Sequence, residues 1–109
     1  MSRNLFSKSI VCGVTLLGCG SAAALEPDAQ RGLTFVRTNC SQCHSIDKVS
    51  PSPLNIAPPF RTLHIRYPVE HLEEALAEGI TTGHPTMPEF KLDPDQIGDV
   101  IAYLKSLEP

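Results

Sequence analysis

The chain has 109 residues and carries twelve acidic side chains against nine basic ones, a net charge of −3 with the histidines neutral. The segment 25–109 holds all twelve acidic residues but only seven basic ones, so its net charge is −5. This balance disfavours binding to nucleic acid or to an anionic membrane surface, because both attract cationic proteins.

The first 24 residues are typical of an export signal, with a basic start at Arg3 and Lys8, an apolar stretch over 10–17 and small residues at 22–24. The apolar stretch is too short to cross a bilayer of about 30 Å as a helix, which disfavours a membrane anchor. We therefore predict that residues 1–24 are a cleaved signal peptide and that the protein acts in the periplasm.

Cys19 marks a second processing route. The sequence Leu16-Leu17-Gly18-Cys19 loosely resembles a lipobox, and processing there would leave Cys19 acylated at the new terminus. The small residues downstream favour ordinary cleavage, which removes Cys12 and Cys19 together with the signal.

Residues 25–109 form one small domain, and its apolar side chains alone supply only a modest core. A helix is predicted from Pro27 to Asn39, with Asp28 as a candidate N-cap. The chain over 45–60 is rich in proline and is predicted to be irregular, because proline removes backbone donors and interrupts helices.

Two further helices are predicted. The first runs from about Pro68 to Glu78, has apolar residues at helical spacing and stops at Gly79. The last has Asp93 as its N-cap and continues as an amphipathic stripe to Leu107. The sequence contains no internal repeat, nucleotide-binding glycine loop or alternating strand pattern, so an all-α domain is expected.

The motif Cys40-Ser41-Gln42-Cys43-His44 carries most of the functional information. Two thiols three residues apart, followed directly by a histidine, are the signature of covalent haem attachment. Each thiol adds across one vinyl group of the porphyrin, and the adjacent imidazole becomes the proximal ligand of the iron. Cys40 and Cys43 are therefore the predicted thioether residues of one haem c, and His44 is its predicted proximal ligand. The haem would also supply much of the core that the short chain lacks.

Two other kinds of site use a Cys-x-x-Cys pair. A structural zinc site needs four ligands, and beyond residue 24 only Cys40 and Cys43 are cysteines, so histidines would have to complete it. His64 and His71 are separated by six residues, which matches no zinc-finger spacing. A thioredoxin-like site requires a βαβ setting, and there is little strand patterning around the motif.

The second axial position of the iron decides between electron transfer and the binding of small molecules. Met87 is the only methionine besides the initiator, and it lies in a loop between Pro85 and Pro88. These prolines reduce the entropy that is lost when a weak thioether ligand binds. We predict Met87 as the distal ligand. His84 is the main alternative ligand, followed by His64 and His71, which precede and lie within a predicted helix. The other interpretation of Met87 is a side chain that fills the core.

The chain resembles the class I c-type cytochromes, specifically the short soluble or periplasmic bacterial form with one haem. The resemblance rests on the haem motif, on Met87-Pro88 and on the final helix, and it covers nearly all of 25–109. It implies a small all-α fold of three main helices packed around the haem. It also implies that Gly32 and Phe35 of the first helix pack against Tyr103 near the chain end.

The resemblance further assigns roles close to His44. It implies that the carbonyl of Pro58 accepts the proximal imidazole proton and that Phe60 takes the apolar position against the porphyrin. Alanine stands at position 57, where the family more commonly has glycine. Independently of the family, an imidazole that binds a metal almost always donates its other N–H to an acceptor, and a proline-rich loop supplies free carbonyls.

With His44 and Met87 on the iron, no substrate reaches it. The expected function is then one-electron transfer between a donor and an acceptor redox protein, by a monomer without enzymatic activity. An open distal site would instead make the protein a haem peroxidase or a gas sensor, and a third interpretation is a haem subunit of an exported oxidoreductase complex. Candidates for contact with the haem propionates, or simply surface residues, are Arg61, Arg66, Tyr67 and Lys91.

Overall fold

The part of the chain that the computed structural model describes comprises residues 11–15, 18, 24–79 and 87–109. The predictions for most of the signal segment, for Cys19 and for His84 lie outside the described residues. Within the described part every regular element is a helix and no strand is present, which confirms the all-α fold class. None of these helices is long and apolar enough to cross a membrane.

The described elements are four α-helices and two single turns of 3-10 helix. In chain order they are α1 (Pro27–Asn39), a 3-10 turn (Phe60–Thr62), α2 (Leu63–Arg66), a second 3-10 turn (Val69–His71), α3 (Leu72–Glu78) and α4 (Pro94–Ser106). The long helices α1 and α4 match the predicted first and last helices. The predicted middle helix is divided, because its first turn is 3-10 and only the remainder is α3. The short helix α2 has no counterpart among the predicted elements.

The start of α1 differs from the prediction. Its N-cap is Glu26, Pro27 occupies the first helical position, and no side chain caps the helix. Asp28 was expected as the N-cap, and this is wrong: its Oδ1 accepts from the neighbouring N–H of Ala29 over 2.7 Å. Proline is suited to the first helical position because its missing N–H would have no partner there, so Asp28 falls inside the first turn.

The start of α4 agrees with the prediction. Asp93 Oδ1 accepts from the N–H of Gln96 over 2.9 Å, and Gln96 Oε1 accepts from the N–H of Asp93 over 3.3 Å. This reciprocal capping box satisfies two backbone donors at the start of the helix. The buried face of α4 belongs to the main apolar core and consists of Ile97, Val100, Ile101, Tyr103 and Leu104.

Helices α1 and α4 approach each other closely at Gly32. A Cβ atom on Gly32 would lie 2.0 Å from the carbonyl oxygen of Asp99 and 2.8 Å from Tyr103 Cβ. Arg31, the preceding residue, forms two hydrogen bonds of 2.9 Å each to the carboxylate of Asp99. Only glycine fits this crossing, and the structure places Gly32 against Tyr103 as the resemblance implied.

Tyr103 connects α4 to the chain that follows the haem motif. Its side chain is buried, with 5% of its surface exposed, and its hydroxyl donates to the carbonyl oxygen of Ile46 over 2.5 Å. Burial is the main reason why the pKa of Tyr103 is raised. Helix α1 ends directly before the haem motif, and Tyr103 of α4 is bonded to Ile46 just after it. The paired helices α1 and α4 therefore restrain the chain before and after the motif.

Candidate haem-binding site

The motif residues form a tight turn at the end of α1. The N–H groups of Cys43 and His44 both donate to the carbonyl oxygen of Cys40, over 3.2 and 2.9 Å. This turn places Cys40, Cys43 and His44 on the wall of one cavity. The three residues predicted from the motif are therefore brought together in space.

The imidazole of His44 is buried and hydrogen-bonded. Its exposed fraction is 8%, and its Nδ1 lies 2.8 Å from the carbonyl oxygen of Pro58. A carbonyl oxygen can only accept, so Nδ1 carries the proton and donates it. In the neutral imidazole with this tautomer, the other nitrogen, Nε2, has a free lone pair, which is the state required of a metal ligand.

Phe60 lies beside this imidazole. The two ring centroids are 4.8 Å apart and the ring planes are inclined by 36°. The backbone N–H of Phe60 donates to the carbonyl oxygen of Ser45 over 2.9 Å, which fixes Phe60 relative to the residue after His44. Its half-buried ring forms part of the cavity wall.

Two adjoining voids form the cavity and share five lining residues, which are Cys40, His44, Phe60, Met87 and Phe90. The larger void encloses about 950 Å³, part of it open to solvent, and mainly apolar side chains from all four α-helices line it. Two thiols, an imidazole with a free nitrogen and an apolar wall are the groups that a covalently attached haem requires, so the residues present fit this cofactor.

Met87 is half-buried and lines both voids. Pro88, the next residue, lines the smaller one. The structure thus brings Met87 to the cavity that also contains His44, although the two residues are 43 positions apart in the sequence. The segment 80–86, which contains His84, lies outside the described residues.

The surroundings of Cys40 disfavour its ionised form. Burial raises the pKa of the Cys40 thiol to about 11, and the nearby Cys43 adds to this shift. Among the residues that the structure describes, no three side chains of the His, Cys, Asp and Glu types come together as a metal site.

Four side chains are candidates from the sequence for contact with the haem propionates, and the structure places them in different surroundings. Arg61 is hydrogen-bonded to the loop that follows the motif. Arg66, Tyr67 and Lys91 are exposed, and of these three Arg66 is the one that lines the larger void. The hydrogen bonds of Arg61 were not predicted, because their acceptors are backbone and hydroxyl oxygens 11 and 16 residues away.

Asp47 organises the same loop through its carboxylate. The carboxylate accepts from the N–H of Val49 over 2.8 Å and from the N–H and hydroxyl of Ser50 over 2.6 Å each. The Ser50 hydroxyl, and after it the backbone donors, lower the pKa of Asp47 to about 2. A turn in which an aspartate side chain accepts from backbone N–H groups two and three residues later is common in loops, and an aspartate at the first position is its sequence signature.

The loop around Asp47 is expected to loosen in acid. A carboxylate whose pKa is lowered in the folded state stabilises that state above its unfolded pKa, near 3.8, and loses this contribution as the pH falls through about 2. Amide exchange at Val49 and Ser50 should therefore accelerate between these pH values, relative to the intrinsic rate. In Asp47→Asn, which cannot ionise, this acid-dependent change should be absent. An identical pH profile in the two proteins would contradict the assignment.

Comparison with known proteins agrees with the geometry of the site. The family model described as cytochrome c matches residues 29–108. The chain belongs to the cytochrome c family. This membership confirms the resemblance to the small class I c-type cytochromes. Members of this family carry covalently attached haem c, and Cys40, Cys43 and His44 fit the attachment motif.

Two curated relatives support this membership. Cytochrome c-552 of Bradyrhizobium diazoefficiens is 31% identical over 99 residues, which cover 91% of this chain and 93% of that protein. A cytochrome c-553-like protein of Synechocystis sp. is 32% identical over 84 residues, 77% of this chain and 73% of that protein. No solved structure gives a significant match. At this level the chain is a c-type cytochrome with one haem that carries electrons between redox partners.

Proposed function

We propose that this cytochrome c is an exported, periplasmic carrier of single electrons whose haem iron is held between His44 and Met87. The observation that carries the proposal is the single cavity that both residues line. When bound, the haem supplies Fe(III)/Fe(II) exchange. The residues of the chain determine how the cofactor is held and which of the two oxidation states is favoured.

Each site residue has a stated task in this proposal. Cys40 and Cys43 tether the cofactor at the end of α1, and His44 Nε2 is the proximal donor. Pro58 accepts the Nδ1 proton over 2.8 Å and so fixes the tautomer and the ring angle. Phe60 excludes water from the proximal side, next to the imidazole.

The proposed thioether of Met87 has two consequences. It occupies the distal position, so neither peroxide nor a diatomic gas reaches the iron, and the protein has no enzymatic activity. It also raises the reduction potential, since a thioether favours ferrous iron, and the apolar cavity acts in the same direction by disfavouring the more highly charged state.

Export and partners complete the proposal. Residues 1–24 act as the signal peptide and 25–109 as the cytochrome domain, with acylation at Cys19 as the alternative processing. The domain is a monomer. Its seven basic and twelve acidic side chains favour docking on a basic patch of a donor or acceptor protein.

The absorption spectrum with and without carbon monoxide tests the proposal. A six-coordinate low-spin spectrum, with a weak sulfur-to-iron band in the ferric state and no response to carbon monoxide, is the expected result. A high-spin spectrum that shifts on adding carbon monoxide would contradict it and favour the open-site peroxidase or sensor. Gel filtration of native extract checks the remaining alternative, because a haem subunit of an oxidoreductase complex would elute with its partners.

A further inference from the structure

The loop 45–52 lies against the segment that contains Pro58. His44 Nδ1 donates to the Pro58 carbonyl over 2.8 Å. Next to this contact, the N–H of Phe60 donates to the carbonyl oxygen of Ser45 over 2.9 Å. The position of the Pro58 carbonyl relative to the imidazole therefore depends on how this loop is held on the segment 58–61.

Burial of apolar side chains orders only the start of this loop, where Ile46 packs against the core. Further along, Val49 is 85% exposed, and Asp47, Lys48 and Pro51 are exposed as well. A segment with few buried apolar contacts opens easily unless hydrogen bonds hold it. The hydrogen bonds of the loop therefore decide whether it stays in place.

Arg61 is at the centre of these hydrogen bonds. Its Nη1 donates to the carbonyl oxygen of Ser50 over 2.7 Å and to the hydroxyl of Ser45 over 3.1 Å. A longer contact of 3.5 Å reaches the carbonyl oxygen of Asp47. Ser45 is only 4% exposed, so one of these bonds lies away from solvent. A single side chain thus joins the beginning and the middle of the loop to the segment 58–61.

Ser52 holds the same loop without a charge. Its hydroxyl accepts from the backbone N–H of Ser45 over 3.0 Å. Ser45 is therefore fixed through its N–H by Ser52, through its hydroxyl by Arg61 and through its carbonyl by Phe60. Because Ser45 directly follows His44, these three contacts restrain the backbone next to the proximal residue.

We propose that Arg61 is a positioning residue for the proximal histidine. Its guanidinium holds the loop 45–52 on the segment 58–61 and thereby keeps the Pro58 carbonyl on His44 Nδ1. This inference rests on the proposed function, in which His44 binds the iron. The Nδ1–H···O bond raises the basicity of the ligating nitrogen, so a loop that opens more often gives a weaker and less oriented ligand.

The exchange rate of the His44 Nδ1 proton with solvent measures this directly in the ferrous holoprotein by NMR. Arg61→Met is expected to accelerate the exchange by about tenfold or more, because the loop opens more often. Arg61→Lys keeps the charge and one donor nitrogen and should show a smaller increase. Ser52→Ala removes a neutral contact and should also accelerate the exchange. Ser52→Ala should raise the reduction potential of the haem as well, since a less basic imidazole stabilises ferric iron less.

Arg31→Met is the matched control. This substitution also replaces an arginine that makes long-range hydrogen bonds, in this case to Asp99 on α4. The Arg31–Asp99 pair does not touch the loop 45–52. The His44 proton should exchange within about twofold of the wild-type rate in this control, under conditions in which local opening dominates.

The outcomes separate this inference from the proposed function. A normal low-spin spectrum with unchanged exchange in Arg61→Met overturns the role of Arg61 alone, whatever Ser52→Ala shows, as does an equal acceleration in Arg31→Met. A wild-type protein without the low-spin spectrum overturns the proposed function and this inference with it. If Arg61→Met does not fold, Arg61→Lys carries the comparison, and unchanged exchange in Arg61→Lys then overturns the role of Arg61.

Discussion

Met87→Ala is expected to abolish the low-spin ferrous spectrum and to lower the reduction potential by on the order of 0.1 V or more, within the roughly 0.8 V range over which axial ligands set haem potentials. The reason is that alanine cannot supply the thioether that favours ferrous iron. The iron then binds water or remains five-coordinate, and carbon monoxide should bind. An optical spectrum and a redox titration measure both effects.

Leu54→Ala is the matched control for this substitution. Leu54 is half-buried and lines the smaller void together with Met87, so its truncation removes apolar volume without removing sulfur. We expect the low-spin spectrum to remain in this control. A normal spectrum and potential in Met87→Ala would contradict the ligand assignment, and loss of the spectrum in His84→Ala would then identify the imidazole as the distal ligand.

Gly32→Ala is expected to destabilise the protein by about 3 kcal/mol, because overpacking a close contact typically costs 1–3 kcal/mol and here the contact is with backbone. The new Cβ would lie 2.0 Å from the Asp99 carbonyl oxygen, so α1 and α4 would have to move apart. For a domain of this size the corresponding fall in Tm is roughly 10–20 °C. Thermal unfolding of the holoprotein, followed by circular dichroism, is the measurement.

Gly98→Ala gives the matched control within α4. Among the described residues, no atom outside the adjoining turns of α4 lies within 4 Å of the position that a Cβ on Gly98 would take, and the residue is exposed. Alanine in a helix interior is about 0.5–1 kcal/mol more favourable than glycine, so Tm should rise by a few degrees. A similar small rise in Gly32→Ala would show that the two helices do not meet at Gly32.

The sequence predicted those elements whose signals are local. Pro27, the capping residues Asp93 and Gln96, and the spacing of Cys40, Cys43 and His44 act within a few positions of one another, and the structure has each helix or turn where they indicate it. Asp28 was misassigned because the helix begins at Pro27, which places Asp28 inside the first turn. The pairing of His44 with Pro58 was expected only through the family resemblance.

Features that depend on tertiary packing were not accessible from one sequence. The short helix Leu63–Arg66 has too few residues for a periodic pattern, and it forms because Leu63 is buried in the core. The bonds from Arg61 and from Tyr103 join residues that are 11 to 57 positions apart. Their acceptors are hydroxyl and backbone oxygens. Backbone carbonyls are present at every residue, so no residue type indicates which of them will be used.

The intact mass of the purified native protein under denaturing conditions shows whether a haem is covalently bound through Cys40 and Cys43. We expect a coloured protein whose mass equals that of residues 25–109 plus one haem, retained after unfolding because the two thioethers are covalent. A colourless protein, or a mass without the added haem and with both thiols free to react, would show that no haem is attached there.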